Sequence, residues 1–256
     1  MKRNLLVLAT IVACACIGTK TNAQTISLGL AEDFAVLGAT TVTNTGPTVL
    51  NGDLGLFPGT SVTGFPPGIV NGTMFINDTM AMEAQAAALV AYNQLVALPP
   101  TMTLTGSLGG LTLLPGIYQI TSAAQLTGTL TLNGNGMVDP LFVFQIGSSL
   151  TTASASSVVE INGANASNLY WQVGSSATLG TNSQFNGTLI ANTSDTLTTG
   201  ATVTNGHIFA LNGAVTLDSN IISVPEPATL SLLFLGLALL AVVKGNTIHR
   251  SRSGLA

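Results

Sequence analysis

The sequence predicts a mainly β fold, a three-faced β-solenoid with one long α-helix packed alongside. The 200 residues from Gln24 to Ser223 are rich in Thr, Gly, Asn and Ser with regularly spaced Val, Leu, Ile and Phe, a composition that suits strands and tight turns. Segments 179–185 and 197–203 align 18 residues apart. At roughly 3.3 Å per strand residue, such a repeat has a perimeter near 60 Å, enough for three short faces and their corners. A β-sandwich is the alternative that the strand pattern alone leaves open.

The first 23 residues have the three-part pattern of a secretory signal peptide. Lys2 and Arg3 precede an apolar run over 5–17, and Ala23 ends a short stretch of small residues before Gln24. We expect residues 1–23 to be removed on export. Lipid attachment at Cys14 is the competing interpretation, because residues 11–14 (IVAC) loosely resemble a lipobox.

One helix is predicted within the β pattern, over about 78–98. This segment is rich in Ala and Met and contains neither Gly nor Pro. Asn77 or Asp78 can cap its start, and Pro99-Pro100 prevents its continuation. Its apolar residues predict burial along one side of the solenoid.

The β repeats are separated by Asn-Gly pairs, which we expect to supply the positive φ angles that solenoid corners require. Each coil buries its inward apolar residues only when it stacks on a neighbour. The pairs are Asn51-Gly52, Asn71-Gly72, Asn133-Gly134, Asn162-Gly163, Asn186-Gly187, Asn205-Gly206 and Asn212-Gly213.

The C-terminal segment 224–256 begins with VPEP, continues with a largely apolar span over 228–243, and ends with Lys244, His249, Arg250 and Arg252. This order resembles the PEP-CTERM sorting signal of Gram-negative bacteria. The resemblance implies a tail that is transiently membrane-held, is cut by an exosortase-type enzyme, and delivers the protein to the cell surface or exterior. A single-pass anchor that is never cut is the alternative, because a basic flank after an apolar span is also typical of transmembrane segments.

Charge excludes several classes of partner. All six Lys and Arg residues lie in the two end segments, whereas residues 24–223 carry nine carboxylates and one histidine. Such a domain has no fixed cation with which to hold phosphate, so nucleic acids, nucleotides and anionic membranes are poor candidate partners. Both cysteines, Cys14 and Cys16, lie in the signal segment, so we expect a mature domain without disulfides.

Seven short blocks cover nearly all of 28–222: 32–38 (EDFAVLG), 43–48 (TNTGPT), 52–55 (GDLG), 64–68 (GFPPG), 114–118 (LPGIY), 142–147 (FVFQIG) and 211–217 (LNGAVTL). Together these blocks resemble the microbial ice-binding (antifreeze) family. The resemblance implies a right-handed discontinuous β-solenoid and a secreted protein that adsorbs to ice through a Thr-rich face and inhibits its growth and recrystallisation.

The family's ice-binding face carries loose T-A/G-x-T/N motifs, and five segments here match it wholly or in part. Residues 45–48 and 199–202 fit all constrained positions, whereas the other three depart from the motif. The candidate ice-binding residues that the resemblance implies are Thr45, Thr48, Thr60, Thr63, Thr152, Ser154, Thr181, Ser183, Thr199 and Thr202. A cell-surface or exopolysaccharide-matrix protein, structural or adhesive and without strong ice binding, is the alternative function.

Catalysis and metal binding have little support in the sequence. His207 is the single histidine of the domain, and no serine-elbow motif accompanies it. The pair Glu32-Asp33 is interpreted as a solvated turn, and Asp139 lacks the repeated Gly-Gly-x-Gly-x-Asp pattern of calcium solenoids. A polysaccharide lyase, the enzyme alternative, needs a basic group beyond His207. We therefore expect a non-enzymatic monomer with no cofactor.

Overall fold

A computed structural model describes residues 26–225. The predicted signal segment and the predicted apolar span 228–243 lie outside this range. No helix within residues 26–225 is long and apolar enough to cross a membrane.

The described chain consists of 24 strands, one α-helix and two short 3-10 helices, Gly29–Ala31 and Ala166–Asn168. The elements in chain order are β1 (Phe34–Gly38), β2 (Thr41–Thr45), β3 (Val49–Asn51), β4 (Asp53–Leu56), β5 (Ser61–Thr63), β6 (Ile69–Val70), β7 (Met74–Ile76), α1 (Thr79–Ala97), β8 (Met102–Thr103), β9 (Thr112–Leu113), β10 (Gly116–Ile120), β11 (Ala124–Leu126), β12 (Thr129–Asn133), β13 (Phe142–Ile146), β14 (Leu150–Thr152), β15 (Ser157–Ile161), β16 (Leu169–Val173), β17 (Ala177–Leu179), β18 (Gln184–Asn186), β19 (Thr188–Ala191), β20 (Asp195–Leu197), β21 (Thr202–Thr204), β22 (Ile208–Ala210), β23 (Val215–Asp218) and β24 (Ile221–Ser223).

These strands form three sheets in which all neighbouring strands pair in parallel. Sheet 1 has nine strands in the order β7-β4-β1-β22-β19-β16-β13-β10-β8. Sheet 2 has seven, β5-β2-β23-β20-β17-β14-β11, and sheet 3 has eight, β6-β3-β24-β21-β18-β15-β12-β9. Each complete coil contributes one strand to each sheet, whereas β7 at one end of the solenoid and β8 and β9 at the other belong to incomplete coils. The predicted three-faced β-solenoid is therefore confirmed.

The solenoid is discontinuous in sequence. The first coil, β1 to β3, stacks directly on the last coil, β22 to β24. The second coil, β4 to β6, extends the stack outward, and α1 then leads to the opposite end, where β8 begins. The remaining coils build back until β22 meets β1.

Helix α1 packs on the outer side of sheet 1 and confirms the predicted helix beside the solenoid. The carboxylate of Asp78 caps its start by accepting a hydrogen bond of 2.9 Å from the Ala81 backbone N–H. A row of small side chains, chiefly Ala84, Ala88 and Ala91, is buried against the sheet. Small residues allow the helix to approach the sheet closely over its whole length.

The solenoid interior is filled by aliphatic side chains around a stack of aromatic rings. Tyr118, Phe144 and Trp171 lie opposite one another on β10, β13 and β16. The rings of Phe144 and Trp171 stack with centroids 4.1 Å apart and an interplanar angle of 10°. The rings stack because parallel, in-register strands place corresponding positions of successive coils directly above one another.

The Asn-Gly pairs serve two purposes. Four of the seven contain a residue with positive φ, as at Asn205 (φ 48°) and Gly187 (φ 85°), and these shape corners as expected. The pairs at 71–72, 133–134 and 212–213 have no such residue. At Gly213 a Cβ would lie 2.5 Å from the carbonyl oxygen of Thr193, so glycine is required there by the close approach of the next coil.

Candidate functional site

The outer surface of sheet 2 carries one threonine per strand, aligned across six neighbouring strands. The register pairs each of these threonines with the next, and all six side chains are half-buried or exposed. We call this set the threonine row; in spatial order it consists of Thr63, Thr43, Thr216, Thr196, Thr178 and Thr151. On the next strand, β11, the paired position is Gln125.

The geometry of the threonine row follows from the parallel ladder. Neighbouring strands lie about 4.8 Å apart, so six threonines extend over about 24 Å. At one step the hydroxyls are close to each other, with Thr43 Oγ1 and Thr216 Oγ1 3.4 Å apart. Threonine is stiff at χ1 because it is β-branched, so the row presents methyl and hydroxyl groups at a regular spacing.

The strands of sheet 2 alternate inward apolar and outward polar residues, and this alternation turns the threonines to solvent. In β23, for example, Val215 and Leu217 are buried in the solenoid while Thr216 is exposed. The short pattern of an apolar residue, Thr and Leu recurs in β17, β20 and β23, with Asp195 in the apolar position of β20. This recurrence is the sequence signal for the row, and the T-A/G-x-T/N motif does not detect it.

The threonine row is free of formal charge. The strands of sheet 2 contain two acidic residues, Asp195 and Asp218. Asp195 points inward and is 1% exposed. Asp218 lies at the end of β23, where its carboxylate accepts hydrogen bonds from the hydroxyls of Thr199 and Ser219.

The ten residues implied by the motif occupy four kinds of position: on sheet 2, on sheet 3, at corners and in the buried interior. Thr63 belongs to the threonine row and Thr45 ends strand β2 beside it, both exposed. Thr202 begins β21 and therefore lies in sheet 3. Four residues lie at corners between sheets: Thr60, Ser154, Thr181 and Thr199. Three are buried: Thr48, Thr152 and Ser183, with exposed fractions of 0%, 3% and 1%.

The motif does not include the other five members of the threonine row, which are Thr43, Thr151, Thr178, Thr196 and Thr216.

Two of the buried motif residues bind backbone groups of adjacent coils. Thr48 Oγ1 accepts a hydrogen bond of 3.0 Å from the Asn220 backbone N–H. Thr152 Oγ1 accepts one of 2.8 Å from the Gly180 backbone N–H. Corners interrupt the ladder and leave donors unpaired, so hydroxyls at these positions stabilise the stacking of coils.

His207 is buried, with an exposed fraction of 1%. Its Nδ1 lies 2.7 Å from the carbonyl oxygen of Phe34. Burial lowers the pKa of its imidazole to about 4, although the Phe34 carbonyl and the charge of Asp33 act in the opposite direction. Glu32 and Asp139 are exposed. Among residues 26–225, no three His, Cys, Asp or Glu side chains lie together in a group able to hold a metal ion.

Comparisons with known proteins show which family models and relatives this chain resembles. A family model described as Ice-binding-like matches residues 36–223, and one described as a PEP-CTERM protein-sorting motif matches residues 223–244. An ice-binding protein of Nostoc sp. (strain HG1) is 51% identical, with 95% of each chain covered.

Two crystal structures are also similar. One is of an ice-binding protein from an Antarctic biological consortium, with 48% identity, a TM-score of 0.78, and 82% of this chain and 96% of that chain covered. The other is of an ice-binding protein from the Antarctic ascomycete Antarctomyces psychrotrophicus, with 44% identity, a TM-score of 0.75, and 79% and 99% covered.

Proposed function

Because the chain belongs to the Ice-binding-like family, as its sequence motifs predicted, we propose that it is an antifreeze protein that adsorbs to ice through the outer face of sheet 2. The observation that carries this proposal is the threonine row, six outward threonines in register across six strands. The PEP-CTERM motif indicates a secreted or cell-surface protein, which is where such a protein would meet ice.

The physical chemistry of the row suits an ice surface. Ice presents a neutral lattice of hydrogen-bond donors and acceptors, and a threonine hydroxyl can both donate and accept. The strand repeat of about 4.8 Å is close to oxygen spacings in ice, and the methyl groups order the water between the hydroxyls. Charged side chains would hold their own hydration shells, and the row has none.

Adsorption explains inhibition of growth without catalysis. A protein held on the ice front blocks growth beneath itself, so the front must curve outward between neighbouring molecules. Each water molecule added to a curved ice front creates more ice surface than one added to a flat front. The ice therefore grows and recrystallises less readily. The proposed function requires no catalytic group, cofactor or metal.

The proposed contact surface combines the threonine row with neighbouring exposed residues on the same sheet. Of the motif-derived set, Thr63 lies in the row and Thr45 beside it. Thr60, Thr181 and Thr199 lie at the sheet margins, where they extend the surface. We assign Thr48, Thr152 and Ser183 to the support of the corners because they are buried.

The remaining parts of the proposal concern the two ends of the chain. We propose that residues 1–23 are removed on export, that residues 24–223 form the ice-binding domain, and that residues 224–256 are the sorting signal. In this scheme the span 228–243 holds the protein transiently in the membrane until an exosortase-type enzyme cuts the tail. The released domain acts as a monomer.

A comparison of two tyrosine variants in the same coil tests the contact surface. Thr196 is in the centre of the threonine row on β20, and Thr204 is exposed on sheet 3 in the next strand, β21. Single ice crystals are observed in a nanolitre osmometer with the wild type, Thr196→Tyr and Thr204→Tyr. The measured quantity is the growth gap, the interval between the temperature at which a crystal melts and the lower temperature at which it begins to grow. We expect faceted crystals and a growth gap for the wild type, a clearly reduced gap for Thr196→Tyr, and an unchanged gap for Thr204→Tyr.

The outcomes separate the two functional hypotheses. Equal gaps in both variants would show that ice is bound elsewhere on the molecule. Round, freely growing crystals with the wild type would reject ice binding and favour a matrix or adhesin protein.

A further inference from the structure

Two neighbouring corners of the solenoid contain the same dipeptide in the same kind of turn. Asn135-Gly136, an eighth Asn-Gly pair, lies between β12 and β13, and Asn162-Gly163 lies between β15 and β16. Both residues of each pair have positive φ, 53° and 69° in the first pair and 51° and 86° in the second. A backbone hydrogen bond closes each turn, of 2.9 Å over 134–137 and of 3.1 Å over 161–164. This pattern is that of a type I′ turn, in which Asn-Gly is favoured.

The two turns differ in how their glycine N–H groups are held. The Gly136 N–H donates a hydrogen bond of 3.0 Å to the carbonyl oxygen of Asn162. Within residues 26–225, no hydrogen bond holds the Gly163 N–H. The next coil passes from β18 to β19 through Gly187 alone, so it adds no third loop to this stack of corners. The turn at 135–136 is therefore tied to its neighbour through its glycine, whereas the glycine at 163 is free.

The Asn162-Gly163 turn also has room to rearrange. Both residues are exposed, and a Cβ added to Gly163 would meet its nearest atom, the Met137 carbonyl oxygen, at 3.5 Å. In three of the other pairs, the glycine N–H donates to a carbonyl oxygen of another coil: 133–134, 186–187 and 205–206. In the remaining three, a Cβ on the glycine would lie 2.9 Å or less from an atom of another coil: 51–52, 71–72 and 212–213. Within the described chain, the pair at 162–163 therefore combines a free N–H with open space.

A glycine nitrogen that is free and unhindered can attack the side-chain amide of the asparagine before it. Glycine has no Cβ to obstruct the approach, and asparagine is a thermolabile residue. We propose that Asn162 is a site of spontaneous deamidation through a succinimide. The Gly163 nitrogen bonds to Asn162 Cγ and loses its proton, the Cγ–Nδ2 bond breaks, and the departing nitrogen leaves with that proton as ammonia. Water then hydrolyses one of the two C–N bonds of the ring, which yields aspartate or isoaspartate without an oxidant or a cofactor.

Deamidation changes the contact between the two corners. Asn162 Nδ2 donates a hydrogen bond of 3.0 Å to Asn133 Oδ1 at the exposed surface. The product carboxylate cannot donate, so two acceptors then face each other, and isoaspartate also routes the main chain through Cβ and Cγ. Residues 24–223 contain no Lys or Arg that could balance the new charge. The modification therefore loosens this corner between sheets 3 and 1, whereas the threonine row lies on sheet 2.

The test follows both turns in one protein. The purified full chain is kept at mildly alkaline pH, which promotes loss of the amide proton, either folded or unfolded in guanidinium chloride. Because residues 24–223 contain no tryptic site, the chain is digested with chymotrypsin. Mass spectrometry measures the conversion of amide to acid at Asn162 and at Asn135, and chromatography separates aspartyl from isoaspartyl peptides. Asn162→Gln is the matched variant, because its longer side chain would have to close a larger ring.

In the folded protein, conversion at Asn162 is expected to be at least about fivefold faster than at Asn135, the factor that one hydrogen bond of ordinary net strength supplies at Gly136. In guanidinium chloride the two rates are expected to become similar, because the turns are lost. Asn162→Gln is expected to remove the reaction at 162 and to leave that at Asn135 unchanged. Equal rates at the two sites of the folded protein would overturn the proposal, and so would aspartate without isoaspartate at 162, which indicates direct hydrolysis. These readouts are covalent, so they do not depend on ice binding or on the proposed function.

Discussion

Thr43 on β2 lies directly opposite Thr216 on β23, although 173 residues of sequence separate them, and their Oγ1 atoms are 3.4 Å apart. This contact joins the first coil of the chain to the last. It makes the threonine row continuous across the junction of a discontinuous solenoid. The threonine row therefore depends on the correct stacking of two coils that lie far apart in the sequence.

The continuity of the row predicts that both sides of the junction contribute to ice binding. Thr43→Tyr and Thr216→Tyr are each expected to reduce the growth gap to a similar extent, because each bulky ring lifts the same stretch of surface from the ice. The double variant is expected to be little worse than either single variant. Measurement of the growth gap for the three proteins, with Thr204→Tyr as the control on sheet 3, checks this. A full additive loss would indicate two separate sites.

The end of the row predicts a gain of function. Gln125 occupies the position next to Thr151, so Gln125→Thr lengthens the row from six threonines to seven. We expect a modest increase in the growth gap, smaller than the loss caused by Thr196→Tyr. Gln184→Thr makes the same substitution at an exposed position of sheet 3 and is expected to change nothing. An equal increase in both variants would contradict the prediction.

A buried carboxyl beneath the row predicts a stabilising substitution. Asp195 is aligned with Ala177 and Val215 in the apolar interior, and within residues 26–225 neither of its carboxyl oxygens has a hydrogen-bond partner. Burial raises the pKa of this group well above its ordinary value. An acid whose pKa is raised on folding destabilises the fold increasingly as pH rises above the unfolded value of about 3.9.

Asp195→Asn removes this ionisation. We expect a gain of about 1–3 kcal/mol in the free energy of unfolding at pH 8 and no gain near pH 4, where the carboxyl is already neutral. Urea denaturation at the two pH values measures the difference. Asp139→Asn, at an exposed turn, is the control and is expected to be neutral. A gain that is equal at both pH values would show that ionisation is not the cause.

The buried imidazole of His207 predicts that the free energy of unfolding falls at low pH, which is opposite in sign to the effect of Asp195. Its pKa falls from 6.5 to about 4 on folding, chiefly because it is buried. A base with a lowered pKa contributes stability above the unfolded value, and that stability is lost as the pH falls from 6.5 towards 4. The full loss is about 3 kcal/mol at 1.36 kcal/mol per pH unit.

The measurement is best made in the Asp195→Asn background, which removes the opposing contribution. Urea denaturation at pH 7, 5.5 and 4 is expected to show a steeper decline for the protein with His207 than for His207→Gln. Parallel declines would mean that the imidazole is protonated in the folded state without penalty.

The last turn of α1 predicts a stabilising role for one glutamine. Gln145 Nε2 donates to the carbonyl oxygens of Leu95 and of the C-cap residue Leu98 at 2.7 and 2.8 Å. The Leu95 oxygen also accepts a longer hydrogen bond, 3.3 Å, from the Leu98 backbone N–H, so the glutamine supplements a weakly satisfied helix end. Gln145→Leu leaves both without this donor and is expected to lower the free energy of unfolding by about 1–3 kcal/mol. Gln184→Leu, at an exposed position of sheet 3, is the control. Chemical denaturation followed by circular dichroism measures both, and equal stabilities would contradict the assigned role.

The sequence by itself determined much about this protein. The 18-residue repeat predicted a solenoid because a strand repeat has a fixed length per residue. Ala-rich residues between Asp78 and Pro99 predicted the helix, because capping and proline chemistry act locally. The sorting motif at 223–244 and the family blocks could also be recognised in the sequence, because each consists of contiguous residues.

Only the tertiary structure decided which threonines share a surface. The T-A/G-x-T/N motif places Thr48 and Thr202 in equivalent positions, yet Thr48 is buried and Thr202 is half-buried at the start of β21 in sheet 3. A threonine next to a corner turns inward or outward according to the register of its coil, and a shift of one residue reverses the face. The contact of Thr43 with Thr216 depends further on the stacking of the first coil on the last. Register and coil order arise from contacts between distant segments, and no local pattern in the sequence carries that information.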